Sequence, residues 1–221
     1  MADSAARSAG RVFISYRREE TAYAAGWLFD RLADRFGRGQ IFKDIDSIQL
    51  GDDFVEVITT AVGSCDVLLA LIGEQWLTIT DEQGTARLDD PDDFVRLEIE
   101  AALTRNVRVI PILVAGARMP RPDLLPPSLA KLARRQALEL SPSHFESDTR
   151  RLHKVLDTTL AEVHAQPVEQ LQRRIREHAA AQDWDEVLAV NDELVALDPA
   201  AADPDGLAGT AREQITRSRE A

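Results

Sequence analysis

The sequence predicts an α/β fold of the flavodoxin-like, doubly wound type: a five-stranded parallel sheet with a small C-terminal helical appendage. Short apolar runs alternate with amphipathic helical patterns between residues 11 and 164. The run at residues 67–72 is wholly apolar, which is typical of a strand covered on both faces. From residue 166 onward only helical patterns remain. We therefore expect a flexible N-terminal segment (1–10), an α/β domain (11–165) and a helical tail (166–221).

The first half of the α/β domain holds three predicted strands, at residues 11–16, 40–43 and 66–72. The helix after the first strand is predicted by apolar residues that share one helical face, namely Ala25, Leu28, Phe29, Leu32 and Phe36. A second face of this kind predicts the next helix, through Phe54, Val57, Ile58, Ala61 and Val62. A polar loop, residues 44–51, precedes that second helix.

The second half begins with a long connection, residues 73–92, of the length that is usually functional or mobile. A helix at 93–105 and a strand at 107–114 follow. A proline-rich loop, a short helix at 129–133 and a strand at 136–140 lead to a final helix at 146–164. In the tail, Asp183 is the predicted N-cap of a helix over 184–197, and the segment QDWDEVLAVNDELVALDP resembles part of a tetratricopeptide repeat.

Composition and charge exclude several classes of protein. The 221 residues carry a formal net charge of −12, which argues against broad binding to nucleic acid, since that needs a basic face. The single cysteine, Cys65, excludes an intrachain disulfide and any cysteine-rich metal site. No apolar run approaches the length of a membrane span, and the first residues do not resemble a secretory signal. We expect a cytoplasmic protein that does not bind membranes.

Common motifs of doubly wound folds are missing. Gly37 and Gly39 form a GxG that closes a helix and has no third glycine, so the dinucleotide fingerprint is absent, and there is no P-loop. The acidic pair that a phosphoreceiver domain needs after its first strand is replaced by Arg17 and Arg18. No histidine pair has the spacing of metal ligands, so we predict no metal site.

The remaining candidate site residues cluster where predicted strands end, which is where doubly wound folds bind ligands. Beside Arg18 and Glu74, they are Ser15, Tyr16 and Arg17 after the first strand, Lys43 and Asp44 after the second, Trp76 after the third, and Phe94 and Glu98 in the third helix. Each has a structural alternative. Arg17 has the alternative of an ion pair with Glu19, Glu20 or Asp44, Trp76 that of a core residue, and Glu98 that of an exposed helix glutamate.

Five ordered segments carry a family resemblance: VFISYRREE, IFKDIDSIQLGDDF, SCDVLLALIGEQWL, DDPDDFVRLEIEAAL and VIPILVAGARMP. Together they resemble a bacterial TIR (Toll/interleukin-1 receptor) domain over about residues 11–164. TIR domains include adaptors that only assemble and enzymes that break down NAD⁺. The enzymes carry a glutamate early in the third helix, often within WxxxE. Glu98 matches that glutamate, while Phe94 stands where the pattern has Trp.

The resemblance implies an NAD⁺ glycohydrolase that releases nicotinamide and gives ADP-ribose or a cyclic isomer, in bacterial immune or stress signalling. NAD⁺ would be the substrate and no cofactor would be needed. The loop at 44–51 matches a family loop that lines the NAD⁺ pocket and contacts neighbouring domains, which implies self-association. The tail would bind a protein partner or drive oligomerisation. The alternatives are a non-catalytic interaction module and a sensor that binds NAD⁺ without cleaving it.

The chemistry of the implied reaction suits one carboxylate. Breaking the nicotinamide–ribose bond develops positive charge on the ribose, which a neighbouring carboxylate stabilises. Nicotinamide leaves as a neutral group, so no strong general acid is required. Because Phe94 and Glu98 are four residues apart on one helix, they share a face and would offer a ring surface beside a carboxylate.

Overall fold

A computed structural model describes residues 10–43, 53–203 and 205–220. The chain divides into two compact units, Met1–Leu160 and Ala161–Ala221. The sheet of the first unit has five parallel strands, which confirms the predicted fold. Its order is β2-β1-β3-β4-β5, from β1 (Val12–Ser15), β2 (Ile41–Lys43), β3 (Val67–Ile72), β4 (Arg108–Val114) and β5 (Leu138–Leu140).

Helices cover both faces of this sheet. On one face lie α1 (Arg18–Phe36) and the first part of α4 (Phe145–Ala180), and on the other lie α2 (Phe54–Gly63) and α3 (Phe94–Thr104). Alternate strand residues serve the two faces, so that Phe13 packs towards α2 and α3 whereas Val12 and Ile14 pack towards α1 and α4. All six residues of β3 are buried, as its continuous apolar sequence predicts.

The second unit is helical. The end of α4 packs with α5 (Trp184–Leu197) and α6 (Leu207–Glu220) around a core of its own, made of Ile175, Val187, Val190, Leu194 and Ala211. This agrees with the helical tail that the sequence predicts. None of the described helices is both long enough and apolar enough to cross a bilayer.

Two local predictions were wrong. The short helix at 129–133 is replaced by two 3₁₀ turns, Pro127–Leu129 and Leu132–Arg134. The last helix of the sheet unit does not end near residue 164, because α4 continues through Pro167 to Ala180. A proline removes one backbone hydrogen bond from a helix, and apolar side chains on either side, such as Leu160 and Leu171, pack into the two cores.

The predicted start of α5 is confirmed, since Asp183 is the N-cap of a helix that runs from Trp184 to Leu197. The side chain of Asp183 makes no capping hydrogen bond. Its carboxylate lies 3.5 Å from Nδ1 of His178, near the end of the preceding helix.

Candidate functional site

The carboxyl ends of β1 and β3 bring two predicted site segments to one edge of the sheet. The strands are parallel neighbours in which Ser15 is paired with Ala70. The chain leaving β1 at Tyr16 and Arg17 therefore runs beside the chain leaving β3 at Gly73. The start of α3 reaches the same edge, because Arg17 bonds to Asp93, the residue before that helix.

Glu98 is a buried carboxylate on α3, with 9 % of its surface exposed. Its helix is fixed on the sheet by apolar residues of the same face, among them Val95, Ile99 and Ala102. An exposed glutamate at this position could have paired with Arg96. In the structure, Arg96 instead bonds to Glu100, with 2.7 Å between Nε and Oε1. A carboxylate at this depth interacts with a charged ligand more strongly than one in water.

Phe94, the first residue of α3, is 48 % exposed. Its ring meets the ring of Phe54 edge to face, with 5.5 Å between the ring centroids. Phe94 and Glu98 lie one helical turn apart, as predicted, but the aromatic ring is at the surface and the carboxylate is not. This part of α3 therefore presents an apolar ring at the surface and a carboxylate in the interior.

Arg17 is buried at 1 % exposure and is paired with Asp93. Its Nη1 donates to Oδ2 of Asp93 at 2.9 Å, and its Nη2 donates to Oδ1 at 3.1 Å. The sequence analysis predicts that Arg17 binds either a diphosphate or one of three carboxylates, those of Glu19, Glu20 and Asp44. The structure has a carboxylate partner, but a different one, 76 positions away. Both Nη atoms of this guanidinium are therefore engaged within the protein, whereas its buried Nε has no hydrogen-bond partner among the described residues.

Ser15 and Trp76 are also buried, each at 1 % exposure. Ser15 follows the alternation of β1 and belongs to the α2/α3 face, and the ring of Trp76 packs in the core of that face. Within the part of the chain that the structure describes, neither Oγ of Ser15 nor Nε1 of Trp76 has a hydrogen-bond partner. Buried polar atoms usually have a hydrogen-bond partner. These two atoms therefore leave unused hydrogen-bonding capacity inside the core, at the edge where the site is expected.

Two other predicted residues lie on the opposite face. Tyr16 packs against the cluster formed with α1 and α4. Lys43, at the end of β2, places Nζ 5.4 Å from the centroid of the Phe29 ring on α1. The structure therefore does not bring them together with Trp76. Asp44 and the predicted loop at 44–51 lie outside the described residues.

The structure adds residues that the sequence analysis did not select, chiefly Glu20 and Asp93. Oε1 of Glu20 accepts the backbone N–H of Gln75 at 2.5 Å. A Cβ atom at Gly73 would stand 2.2 Å from the carboxyl carbon of Glu20, so the carboxylate lies directly on the backbone after β3. A glycine directly after an apolar strand is the signal that marks such close approach, whereas nothing local to Asp93 indicates its partner.

No metal centre is found among the described residues: no three histidine, cysteine, aspartate or glutamate side chains are grouped to hold an ion. Cys65 is buried, and this burial raises the pKa of its thiol to about 11, although the nearby Arg11 acts in the opposite direction. A thiol that stays protonated at neutral pH is a poor nucleophile.

A family model described as TIR domain matches residues 12–156, which is more than half of the chain. A search of curated proteins finds none that matches. Among solved structures, the chain is similar to the TIR domains in the structure of the activated Roq1 resistosome directly recognizing the pathogen effector XopQ. The identity is 14 % and the TM-score 0.48, over 66 % of this chain and 99 % of that chain.

Proposed function

This chain belongs to the TIR domain family, and from that premise we propose that it is an NAD⁺ glycohydrolase with Glu98 as its catalytic carboxylate. NAD⁺ is the substrate, and the reaction requires no cofactor. Nicotinamide is released, and the ribose carbon is captured either by water, giving ADP-ribose, or by an adenine nitrogen of the same molecule, giving a cyclic isomer.

The observation that carries the proposal is the burial of Glu98 beside the carboxyl edge of β1 and β3. A carboxylate on the surface of a helix would face water and would be screened. At 9 % exposure, a negative charge on this side chain acts through a medium of lower dielectric constant than water, where an ionised carboxylate stabilises a developing oxocarbenium ion more effectively. Ser15 and Trp76 support the same edge as the site, since their buried polar atoms have unmet hydrogen-bonding capacity.

The contacts of Arg17 change how the substrate would be held. Because this guanidinium is engaged with Asp93, the diphosphate of NAD⁺ needs other donors, and the edge described above suits the nicotinamide riboside half. That half of NAD⁺ carries the positive charge of the pyridinium ring. Glu98 therefore faces the cationic end of the substrate, with the exposed ring of Phe94 at the rim.

The test is nicotinamide release from NAD⁺ by the purified chain over a series of protein concentrations, with Glu98→Gln beside wild type. We expect the variant to lose at least ~100-fold in kcat, the size of a lost charge contact in the transition state. Glu100→Gln is the matched control, since it changes the same residue type on the same helix at a group bonded to Arg96 and Ser128. No release by wild type, or equal loss in both variants, contradicts the proposal.

A non-catalytic interaction module is the second candidate function, and an exposed aromatic groove favours it. Tyr23 and Trp27 on α1 are 44 % and 52 % exposed, and the ring of Trp27 meets that of Phe145 edge to face. The concentration series separates the two functions, because an enzyme assembled from several copies gains specific activity with concentration whereas a scaffold releases no nicotinamide at any concentration. Binding of NAD⁺ in a calorimeter without product formation would identify a sensor instead.

A further inference from the structure

We propose that the buried ion pair between Arg17 and Asp93 is a positioning device that sets the place of Glu98. This inference rests on the proposed function, since it assigns the pair to the same reaction. Neither residue is proposed to touch the substrate. They act through α3, the helix that carries Glu98.

The ion pair is buried and has fixed geometry. Two parallel hydrogen bonds of 2.9 and 3.1 Å join the guanidinium of Arg17 to the carboxylate of Asp93, and their side chains are 1 % and 2 % exposed. Nε of Arg87 lies 3.3 Å from the same carboxylate. Such a bidentate pair restrains both distance and orientation, whereas a single contact restrains distance alone.

The pair joins the first turns of two helices. Arg17 stands at the start of α1, where its carbonyl accepts the N–H of Thr21 at 2.8 Å. Asp93 is the N-cap of α3, and its Oδ1 accepts the N–H of Arg96 at 3.0 Å. Glu98 follows Asp93 by little more than one helical turn. A movement at Asp93 is therefore passed directly to Glu98.

The long connection between β3 and α3 is tied to the same point. Arg87 lies in its 3₁₀ turn, Arg87–Asp89, and bonds to Glu19 of α1 at 2.6 Å as well as approaching Asp93. Asp93 thus receives contacts from α1, from the connection and from α3. One of these partners, Arg17, is 76 positions away, whereas Arg87 and the first turn of α3 are neighbours of Asp93 in the chain. They meet at one carboxylate, on the side of the sheet where Glu98 lies.

Stability alone is a weak explanation for such a pair. The cost of removing two charges from water offsets most of their attraction, so replacing a buried ion pair by uncharged groups of similar size is often neutral for stability. What is lost in such a replacement is the fixed geometry. A misplacement of about 1 Å at a catalytic group lowers the rate by about 100-fold, so the loss appears in kcat.

The experiment uses the full chain with both charges removed together, Arg17→Met with Asp93→Asn. Asparagine keeps the N-cap acceptor for α3, and no unpaired buried charge remains. The matched control is Arg35→Met with Asp157→Asn, another two-bond pair from α1, at 3.3 and 2.5 Å, but half-exposed and on the opposite face of the sheet. Melting temperature, kcat and KM for NAD⁺ are measured for each.

We expect the Arg17/Asp93 double variant to keep a cooperative melt and a KM within about 3-fold of wild type, while kcat falls at least ~30-fold. The control pair should leave kcat unchanged. A double variant that melts cooperatively with wild-type kcat overturns the proposal. Arg17→Lys is the second variant: it keeps the charge without the fork, so we expect an intermediate kcat, and wild-type kcat here also contradicts positioning.

Hydrogen exchange gives a readout that does not depend on activity. In the double variant, the first amides of α3, at residues 95–97, should exchange at least ~10-fold faster than in wild type, because the restraint on that helix end is gone. Unchanged exchange overturns the positioning proposal whether or not the protein cleaves NAD⁺. If the double variant exchanges faster but the wild-type protein releases no nicotinamide, the proposed function is wrong while the restraint on α3 is established.

Discussion

At the scale of single residues, the side chains in this molecule behave according to what surrounds them, and Cys65 is the simplest case. It follows a turn before β3, is 6 % exposed, and its Sγ lies 3.4 Å from the carbonyl oxygen of Ala61. Burial raises the pKa of the thiol to about 11. In the folded protein the thiol of Cys65 therefore stays protonated near neutral pH.

We predict that Cys65 resists thiol reagents in the folded protein. At pH 8 the rate of modification by a disulfide reagent should be at least ~100-fold lower than in guanidinium-unfolded chain, because both the thiolate fraction and the access are reduced. The measurement is the absorbance of the released thiolate with time. Rapid stoichiometric reaction of the native protein would show that the residue is accessible.

His153 on α4 makes the stability depend on pH. Partial burial lowers its pKa below the usual 6.5, and the positive charge of Arg35 adds to this, while Asp157 opposes it. The unfolded chain therefore binds the proton more readily than the folded chain. The contribution is fully present above about pH 6.5 and is lost as the pH falls through the lowered pKa of the folded state.

We expect His153→Gln to weaken the decline in the free energy of unfolding on going from pH 7 to pH 5. Urea unfolding at several pH values measures it. His144→Gln is the control, since the ring of His144 is exposed and its Nδ1 lies 3.0 Å from Oγ of the neighbouring Ser143. Equal pH slopes for wild type and His153→Gln would show that the histidine does not contribute to them.

At the scale of secondary-structure elements, the candidate site lies at the ends of strands, and Gly73 illustrates the close packing there. It follows β3 and lies under the carboxylate of Glu20, which would have to move to admit a Cβ atom. Gly26, in the middle of α1, has open space where a Cβ would stand. The same substitution should therefore have opposite effects at the two positions.

We predict that Gly73→Ala destabilises the protein by about 1–3 kcal/mol, since Glu20 must leave the N–H of Gln75. Gly26→Ala should stabilise it by about 0.5–1 kcal/mol through the helix propensity of alanine. Urea unfolding of the two variants beside wild type measures both. A stabilising Gly73→Ala would contradict the close contact described above.

The sequence predicted elements well where a residue's neighbours in the chain determine its state. The apolar run of β3 and the helical faces of α1, α2 and α3 depend on periodicity alone, and the structure has all of them. The ion pair of Arg17 with Asp93 joins residues 76 positions apart, and no local pattern encodes it. The continuation of α4 through Pro167 likewise depends on packing partners that only the fold supplies. So does the absence of a capping hydrogen bond from the side chain of Asp183.

The candidate site divides in the same way. The ends of predicted strands pointed to Ser15 and Trp76, and the family resemblance pointed to Glu98; all three lie on the α2/α3 side or at its edge. Tyr16, the neighbour of Ser15, and Lys43, at the end of β2, face the other way, because successive strand residues alternate between faces. That alternation is readable from the sequence only once the end of each strand is known.

At the scale of the whole molecule, the two units have separate cores. The two clusters of the sheet unit end at Leu160, and the helical cluster draws on residues from Val168 onward. The apolar clusters of the sheet unit therefore contain no residue of the helical tail. The net charge of −12 is spread over both units.

We predict that a chain shortened after residue 166 keeps the sheet unit folded. It should melt cooperatively and keep the far-ultraviolet signal of an α/β protein, because no core residue of the sheet unit is removed. Calorimetry measures the transition, and light scattering on both chains tests whether the tail drives oligomerisation. A shortened chain that lacks a cooperative transition would show that the sheet unit depends on the tail.

The order of strands in the sheet has a consequence for how the chain reaches this state. Every pairing is parallel, so none is closed by a hairpin, and β1 at the inside of the sheet must wait for β3, which begins 55 positions later. Pairings of this kind are slow because the loop between the strands loses entropy before any contact is gained. During synthesis, the apolar residues of β1 lack their β3 partner until β3 has been made. In that interval we expect the nascent chain to bind chaperones.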